Sequence, residues 1–218
     1  MLHPDDAKML DRFERLARVY RLVTPFMFRT WNRMSALAEL KAGDFALDVA
    51  GGAGNLAVRL VRQTPAVTVV DLSPAMLSRA GKRLRGTGVV LTQADAKALP
   101  FPDRAFDISF VSMALHEVPA TDAVAILREM RRVTRRSIIA ADFAVPRTRA
   151  GLWVLKQTIG RGEEANFFDF LKIGLPELVD RAGLTVLSTE QLWLAGTEIL
   201  VAQPGRRETT ARAATAEQ

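Results

Sequence analysis

The chain has 218 residues, of which 49% are hydrophobic and 25% charged, and it contains no cysteine. Such a length suits one domain with small appendages, and the balance excludes a disordered, collagenous or membrane-spanning chain. The missing thiols exclude a disulfide scaffold, a thiolate metal site and a cysteine nucleophile. Thirty Lys and Arg against 24 Asp and Glu leave a net charge of +6, which raises binding to nucleic acid or an anionic membrane as a question. Nothing resembles a membrane span, and Met1-Leu2-His3-Pro4-Asp5-Asp6 lacks the cationic-then-apolar order of a secretion signal, so a cytoplasmic location is expected.

Leu10, Phe13, Leu16, Ala17 and Tyr20 recur at helical spacing, and Pro25 opens a second helix carrying Phe26, Trp31, Met34, Leu37 and Leu40 up to Gly43. The pattern then changes to short apolar runs alternating with amphipathic helices. Strands are expected at Phe45–Ala50, Val67–Val70, Val89–Thr92, Phe106–Val111 and Ser137–Ala141. Between them lie helices at Leu56–Val61, after the Ser73-Pro74 cap as far as Leu84, and after a cap at Thr121. Strand–helix alternation of this kind builds a parallel sheet covered on both faces. Asn166–Leu171 and Pro176–Ala182 read as helices, the second stopped by Gly183. Leu184–Thr189 and Trp193–Val201 are too close for a helical crossover and should pair antiparallel. The expected division is a helical lid over 1–43, a core over 44–203 and a polar, disordered tail over 204–218.

The sharpest local signal is Leu47-Asp48-Val49-Ala50-Gly51-Gly52-Ala53-Gly54-Asn55-Leu56, a strand running into a glycine turn and a helix. Glycines let the chain turn tightly and let a ligand approach the amides at the helix start. Asp71 closes the next strand, where a carboxylate can accept both hydroxyls of a ribose. Gly52-x-Gly54-x-x-Ala57 with Asp71 also fits a dinucleotide fingerprint, so this loop alone leaves a nicotinamide cofactor and a smaller adenosine ligand open. Two features favour the latter. Asp48 would repel a pyrophosphate but could hold an ammonium group, and Asp95, just after the third strand, could accept from an adenine amino group.

Taken together, Leu-Asp-Val-Ala-Gly-Gly-Ala-Gly, Val-Asp-Leu-Ser-Pro-Ala-Met-Leu and Asp-Ala-x-x-Leu-Pro-Phe-Pro-Asp-x-x-Phe-Asp resemble the class I S-adenosylmethionine-dependent methyltransferases. Within that class they resemble the ubiquinone/menaquinone biosynthesis C-methyltransferases, as does Phe13-x-x-x-Ala17-x-x-Tyr20, over about residues 13–202. The resemblance implies a Rossmann-like seven-stranded α/β sheet in the order 3-2-1-4-5-7-6 with strand 7 antiparallel, and the N-terminal helices closing over the cofactor. It implies that Asp48 faces the methionine amino group, Gly52 and Gly54 line the methionine backbone, Asp71 holds the ribose and Asp95 the adenine amine, with Leu72 and Ala96 flanking the ring. Tyr20, Ala50, Gly51, Met76 and Ser112 complete the expected cofactor contacts.

The sequence departs from the group on the acceptor side. Arg21 stands where an aspartate is usual, Ala114-Leu115-His116-Glu117-Val118 replaces Gly-Leu-Arg-Asn-Val, and Thr134-Arg135-Arg136 replaces a Pro-Gly-Gly turn. A quinone acceptor therefore does not follow, and a small apolar or aromatic one, methylated at carbon, oxygen or nitrogen, is expected. His116, one of two histidines, stands where a base could deprotonate such an acceptor, although alignment of the reactants alone can suffice. Asp142 is a second polar group on that edge. Trp153, Phe167, Phe168 and Phe170 form a core or part of an apolar pocket. An open pocket around His116 would favour an enzyme, and one filled by Trp153 or the phenylalanines a noncatalytic cofactor-binding subunit; a nicotinamide oxidoreductase is third. No metal spacing appears. Residues 128–149 carry seven Lys and Arg against two acidic residues, and without stacking aromatics this run reads as a solvated face rather than a nucleic-acid site. The expected partner is a small-molecule acceptor, with peripheral membrane contact open and the chain a monomer or homodimer.

Overall fold

A computed structural model describes residues 27–144, 165–192 and 196–205. Seven strands form one sheet in the order β3-β2-β1-β4-β5-β7-β6. These are β1 (Ala46–Val49), β2 (Val67–Asp71), β3 (Val90–Gln93), β4 (Phe106–Ser112), β5 (Thr134–Phe143), β6 (Leu184–Leu192) and β7 (Thr197–Pro204). The first five run parallel, and β7 lies antiparallel between β5 and β6. This is the fold and strand order the sequence implies. Chain order reverses direction between β1 and β4, the crevice where open sheets of this kind receive ligands.

Helices cover both faces. α1 (27–37), α2 (Ala57–Leu60) and α3 (Pro74–Arg83) pack Met34, Leu60, Ala80 and Leu84 with Phe110 and Ile139 of the sheet. On the other face, α4 (Ala120–Val133), α5 (Ala165–Ile173) and α6 (Leu175–Arg181) bury Leu127, Met130, Phe167 and Leu178 with Leu47, Val111 and Leu200. β1 is buried at all four positions, as an interior strand covered on both sides must be.

Most element boundaries agree with the sequence pattern, and three differences have physical reasons. α4 starts at Ala120 behind Pro119 and takes no side-chain cap, so Thr121 lies inside the helix. β5 begins three residues early, at Thr134, because Thr134 Oγ1 meets Ser109 Oγ at 2.6 Å and the strand-end arginines find carboxylates: Arg135 pairs with Asp107 at 3.1 Å and Arg136 with Asp44 at 2.5 Å. β6 and β7 extend to Leu192 and Pro204, since their antiparallel ladder runs on to Leu192 opposite Thr197. The helix expected around Leu10–Tyr20, together with Arg21, Trp153, Trp193 and most of the tail, lies outside the described residues.

The basic run is not merely solvated. Arg132 donates to the carbonyls of Leu99 and Phe101 at 2.9 and 2.7 Å and pairs with Asp103 and Glu129 at 3.1 and 2.7 Å. Glu129 in turn accepts from the Leu99 amide at 2.9 Å. One guanidinium therefore clamps the segment that follows Asp95 onto α4, and these bonds hold Glu129 below the usual carboxylate range. Removing it strands two carbonyls and a carboxylate, so Arg132→Ala should lower stability by about 1–3 kcal/mol in denaturant unfolding, whereas a change below about 0.3 kcal/mol would mean the clamp is idle.

Candidate cofactor and acceptor site

At the carboxyl ends of the parallel strands, Asp95, Asp71, Asp48 with the glycine loop, Ser112 and Asp142 follow one another along the sheet edge, because β3, β2, β1, β4 and β5 are neighbours in that order. The loop leaves β1 by a left-handed turn. Ala50, Gly52 and Gly54 have φ of 51°, 55° and 72°. Ala50 thus holds a left-handed backbone that an L side chain rarely adopts and that favours glycine. A Cβ at Gly51 would come within 2.7 Å of Val69 Cγ1 and 2.9 Å of the Asp48 carboxyl carbon, whereas one at Gly52 would meet nothing within 4 Å. Gly51 is thus required for packing, and Gly52 leaves an open approach to the loop.

Asp71 fixes this loop. Its Oδ2 accepts from the Gly52 amide at 2.8 Å and its Oδ1 from the Ser73 amide at 2.8 Å, while Ser73 Oγ caps α3 by accepting from the Met76 amide at 3.3 Å. Burial raises the Asp71 pKa and these two amides restrain the rise. Each oxygen keeps a lone pair for a hydroxyl donor.

Asp48 is the anomaly of the site. It is wholly buried, and neither carboxylate oxygen has a hydrogen-bond partner. Desolvation, then the nearby Asp71 charge, raise its pKa to about 7; the Ala57 amide at the start of α2 opposes this without closing a full hydrogen bond. An orphaned buried carboxylate is costly unless a cation or donor completes it. An ammonium group meets that need, and a pyrophosphate does not.

The remaining residues expected at the cofactor fall along the same edge, with one outside the description. Asp95 is exposed, and its Oδ1 accepts from the Lys97 amide at 2.8 Å. Leu72, Met76 and Ala96 are half-buried, and the Leu72 carbonyl accepts from Gln93 Nε2 at 3.2 Å. Ser112 ends β4 and its hydroxyl accepts from Trp31 Nε1 at 3.2 Å, so α1 is seated over the crevice. Tyr20 lies outside the described residues. Trp31 was legible only as a core position; its link to Ser112, 81 residues away, has no local signal.

The base expected at His116 does not fit this geometry. The ring is 3% exposed, with Nδ1 at 2.6 Å from Asp142 and Nε2 at 3.2 Å from Glu117. Phe143, Phe167 and Phe170 meet it edge-on at 4.8, 5.7 and 6.2 Å. Burial alone would depress its pKa, but Asp142 and Glu117 reverse that and hold it at about 10. A ring donating from both nitrogens has no lone pair with which to take a proton. Asp142, fully buried, also accepts from the amides of Leu115, His116 and Phe143, so its oxygens are spent on the turn after β4 and on His116. Among the described residues no cluster of three or more His, Asp or Glu could hold a metal ion.

Two outcomes follow for this site. Replacing Ala50 by Gly should relieve the left-handed strain and leave stability unchanged or raised by about 1 kcal/mol; a loss of more than that would show the alanine methyl is needed. NMR of the His116 ring should show both N–H protons at pH 8, with titration well above the ordinary histidine range; the pair with Asp142 and Glu117 then contributes stability that is complete below about pH 6.5 and fades as pH rises through about 10. A histidine that titrates near 6.5 would contradict it.

Residues 46–137 match the family model described as a methyltransferase domain. The ubiquinone/menaquinone biosynthesis C-methyltransferase of Xanthomonas campestris pv. campestris is 42% identical over 135 residues, covering 56% of this chain and 53% of that protein. The chain thus spans about half the length of the curated relatives it matches. Among solved structures, the magnesium protoporphyrin IX methyltransferase of Synechocystis PCC 6803 with bound S-adenosylhomocysteine has a TM-score of 0.69 at 20% identity, covering 90% of this chain and 98% of that one. A cyclase shares the fold with a TM-score of 0.64 at 18% identity, covering 86% and 95% of the two chains, so the fold by itself does not dictate the reaction. In its glycine loop, its strand-end aspartates and its strand order, the chain is similar over residues 46–137 to a methyltransferase domain.

Proposed function

We propose that the protein binds S-adenosylmethionine at the glycine loop and transfers its methyl group to a small apolar or aromatic acceptor at the carboxyl ends of β4 and β5. The observation that carries this reading is the unpartnered, fully buried carboxylate of Asp48. It suits the cofactor's ammonium group, and in this reading Asp71 takes the ribose hydroxyls and Asp95 the adenine amino group, with Leu72, Met76 and Ala96 beside the ring. The Gly52 approach leaves room for the methionine part. When bound, the cofactor supplies a methyl group on a positively charged sulfur.

The chain's own contribution is then alignment. Trp31 on Ser112 closes one side of the crevice and keeps water from it, and His116 holds the turn after β4 to the end of β5. With His116 kept protonated, the described residues offer no histidine base, and proximity and in-line orientation carry the rate. The relatives are named for ubiquinone and menaquinone biosynthesis, and a ring compound of that kind is one acceptor of this class. The His116-Glu117 departure lies on the acceptor side, so acceptor choice is the point at which the chain differs from them. Among the described residues no helix is long and apolar enough to cross a membrane.

The phenylalanines enclosing His116 favour a second reading, in which the cofactor pocket is kept without turnover. An acceptor screen with labelled methyl groups separates the two: methyl incorporation into any small acceptor supports the enzyme, and cofactor binding with no transfer supports the noncatalytic subunit.

Because the cofactor's cation needs an ionised Asp48, its affinity should rise with pH through about 7 and weaken about tenfold between pH 8 and pH 6. Calorimetry on wild type and Asp48→Asn checks this, since the variant should bind weakly at both pH values and lose the dependence. Tight binding of NAD with no binding of S-adenosylmethionine or S-adenosylhomocysteine would overturn the proposal. Asp71→Ala should weaken cofactor binding by at least about tenfold, as it removes the ribose acceptor and the Gly52 anchor together; unchanged affinity would remove Asp71 from the site.

A further inference from the structure

Away from the strand-end crevice, α1, α2 and α3 enclose a cavity of about 330 Å³ lined by Phe28, Asn32, Asn55, Arg59, Arg62 and Arg83. Three guanidinium groups converge there, and among the described residues none of them forms an ion pair with a carboxylate. Elsewhere on the molecule Arg33, Arg132, Arg135 and Arg136 each pair with one.

Two of the three are held in place by neutral groups instead. Arg59 lies over the rings of Phe28 and Trp31, 5.1 and 5.6 Å from their centres, donates from Nε to Asn32 Oδ1 at 2.5 Å and reaches the Asn55 carbonyl at 2.5 Å. Arg83 donates to Asn55 Oδ1. Partial burial, followed by repulsion from Arg62 and Arg83, depresses the Arg59 pKa. Neutral acceptors orient a guanidinium without cancelling its charge, so the cleft keeps a concentrated positive field beside an aromatic floor. Placement of Arg83 near the end of α3 is favourable in itself, but that does not account for the convergence of all three.

We propose that this cleft is a binding site for a phosphate-bearing anion, with Arg59, Arg62 and Arg83 as its ligands. Planar guanidinium forks match phosphate oxygens two at a time, and an anion would relieve the mutual repulsion that the neutral partners leave in place. The volume accommodates a phosphate with a small organic group attached, and the Phe28 ring gives that group an apolar wall. Asn55 accepts from two of the arginines and directly follows Gly54, so the anion site adjoins the glycine loop from its outer side. The inference stands apart from methyl transfer, since none of the three arginines touches Asp48, Asp71 or Asp95.

Calorimetry at low ionic strength with inorganic phosphate, pyrophosphate and AMP should show saturable binding of at least one of them. Arg62 and Arg83 are exposed, so Arg62→Ala/Arg83→Ala should fold, which its thermal transition checks, and it should bind that probe at least about tenfold more weakly; Arg62→Lys/Arg83→Lys should retain part of the affinity. Cosedimentation with phosphatidylcholine vesicles containing phosphatidylglycerol distinguishes the source. Soluble probes binding without vesicle capture indicate a free phosphate compound, and vesicle capture lost in the double alanine variant indicates a lipid headgroup. No saturable binding of any probe, or binding equal in wild type and the double alanine variant, would overturn the proposal.

Discussion

A carboxylate without a partner in the middle of a folded protein is the constraint around which this structure is arranged. Asp48 sits at the end of β1, sealed by Val69, the glycine loop and α2, and the fold supplies it with no hydrogen bond. Its raised pKa means that the free protein loses stability as pH rises from about 4 to about 7, above which the full cost of the buried charge is carried. A site that holds back its complement in this way selects for a ligand that brings a positive charge. The same carboxylate argues against a dinucleotide, whose pyrophosphate would approach that loop, although the glycine spacing permits one.

The sheet places the other groups around that charge. Parallel strands send their carboxyl ends to one edge, and the reversal between β1 and β4 opens the crevice there. Asp71 serves twice, holding the glycine loop through Gly52 and presenting free lone pairs to the crevice. On the far side, His116 pairs with both Asp142 and Glu117, and the three brace the turn after β4. Asp48 and Asp142, both fully buried, thus have opposite fates: Asp142 is saturated by its own fold, and Asp48 is left open.

Much of this was legible in the sequence, and the reason is locality. Apolar runs bounded by glycine and proline give the strands, and the short span between β6 and β7 forces their antiparallel pairing. Asp48 lies near the end of β1, Asp71 ends β2 and Asp95 lies two residues past β3, so their placement at one edge follows from topology. What escaped depends on contacts remote in the chain. His116 looks like a base beside its neighbours, and only Asp142, 26 residues away, and Phe167 and Phe170 on α5 turn it into an enclosed cation. Arg132, Arg135 and Arg136 look like a solvated face, and only the fold brings Glu129, Asp103, Asp107 and Asp44 to them. Those pairs also explain why Arg135 and Arg136 can lie in a strand.

Whether the Asp48 carboxylate awaits a cation is read from its own titration. Carbon-13 NMR of the Asp48 side chain in the free protein and in its complex with S-adenosylhomocysteine measures the two pKa values. The expected value is near 7 in the free protein, falling well below that in the complex as the ammonium group pairs with the carboxylate. An ordinary aspartate value near 4 in the free protein, or a value that does not move when the ligand binds, would contradict it.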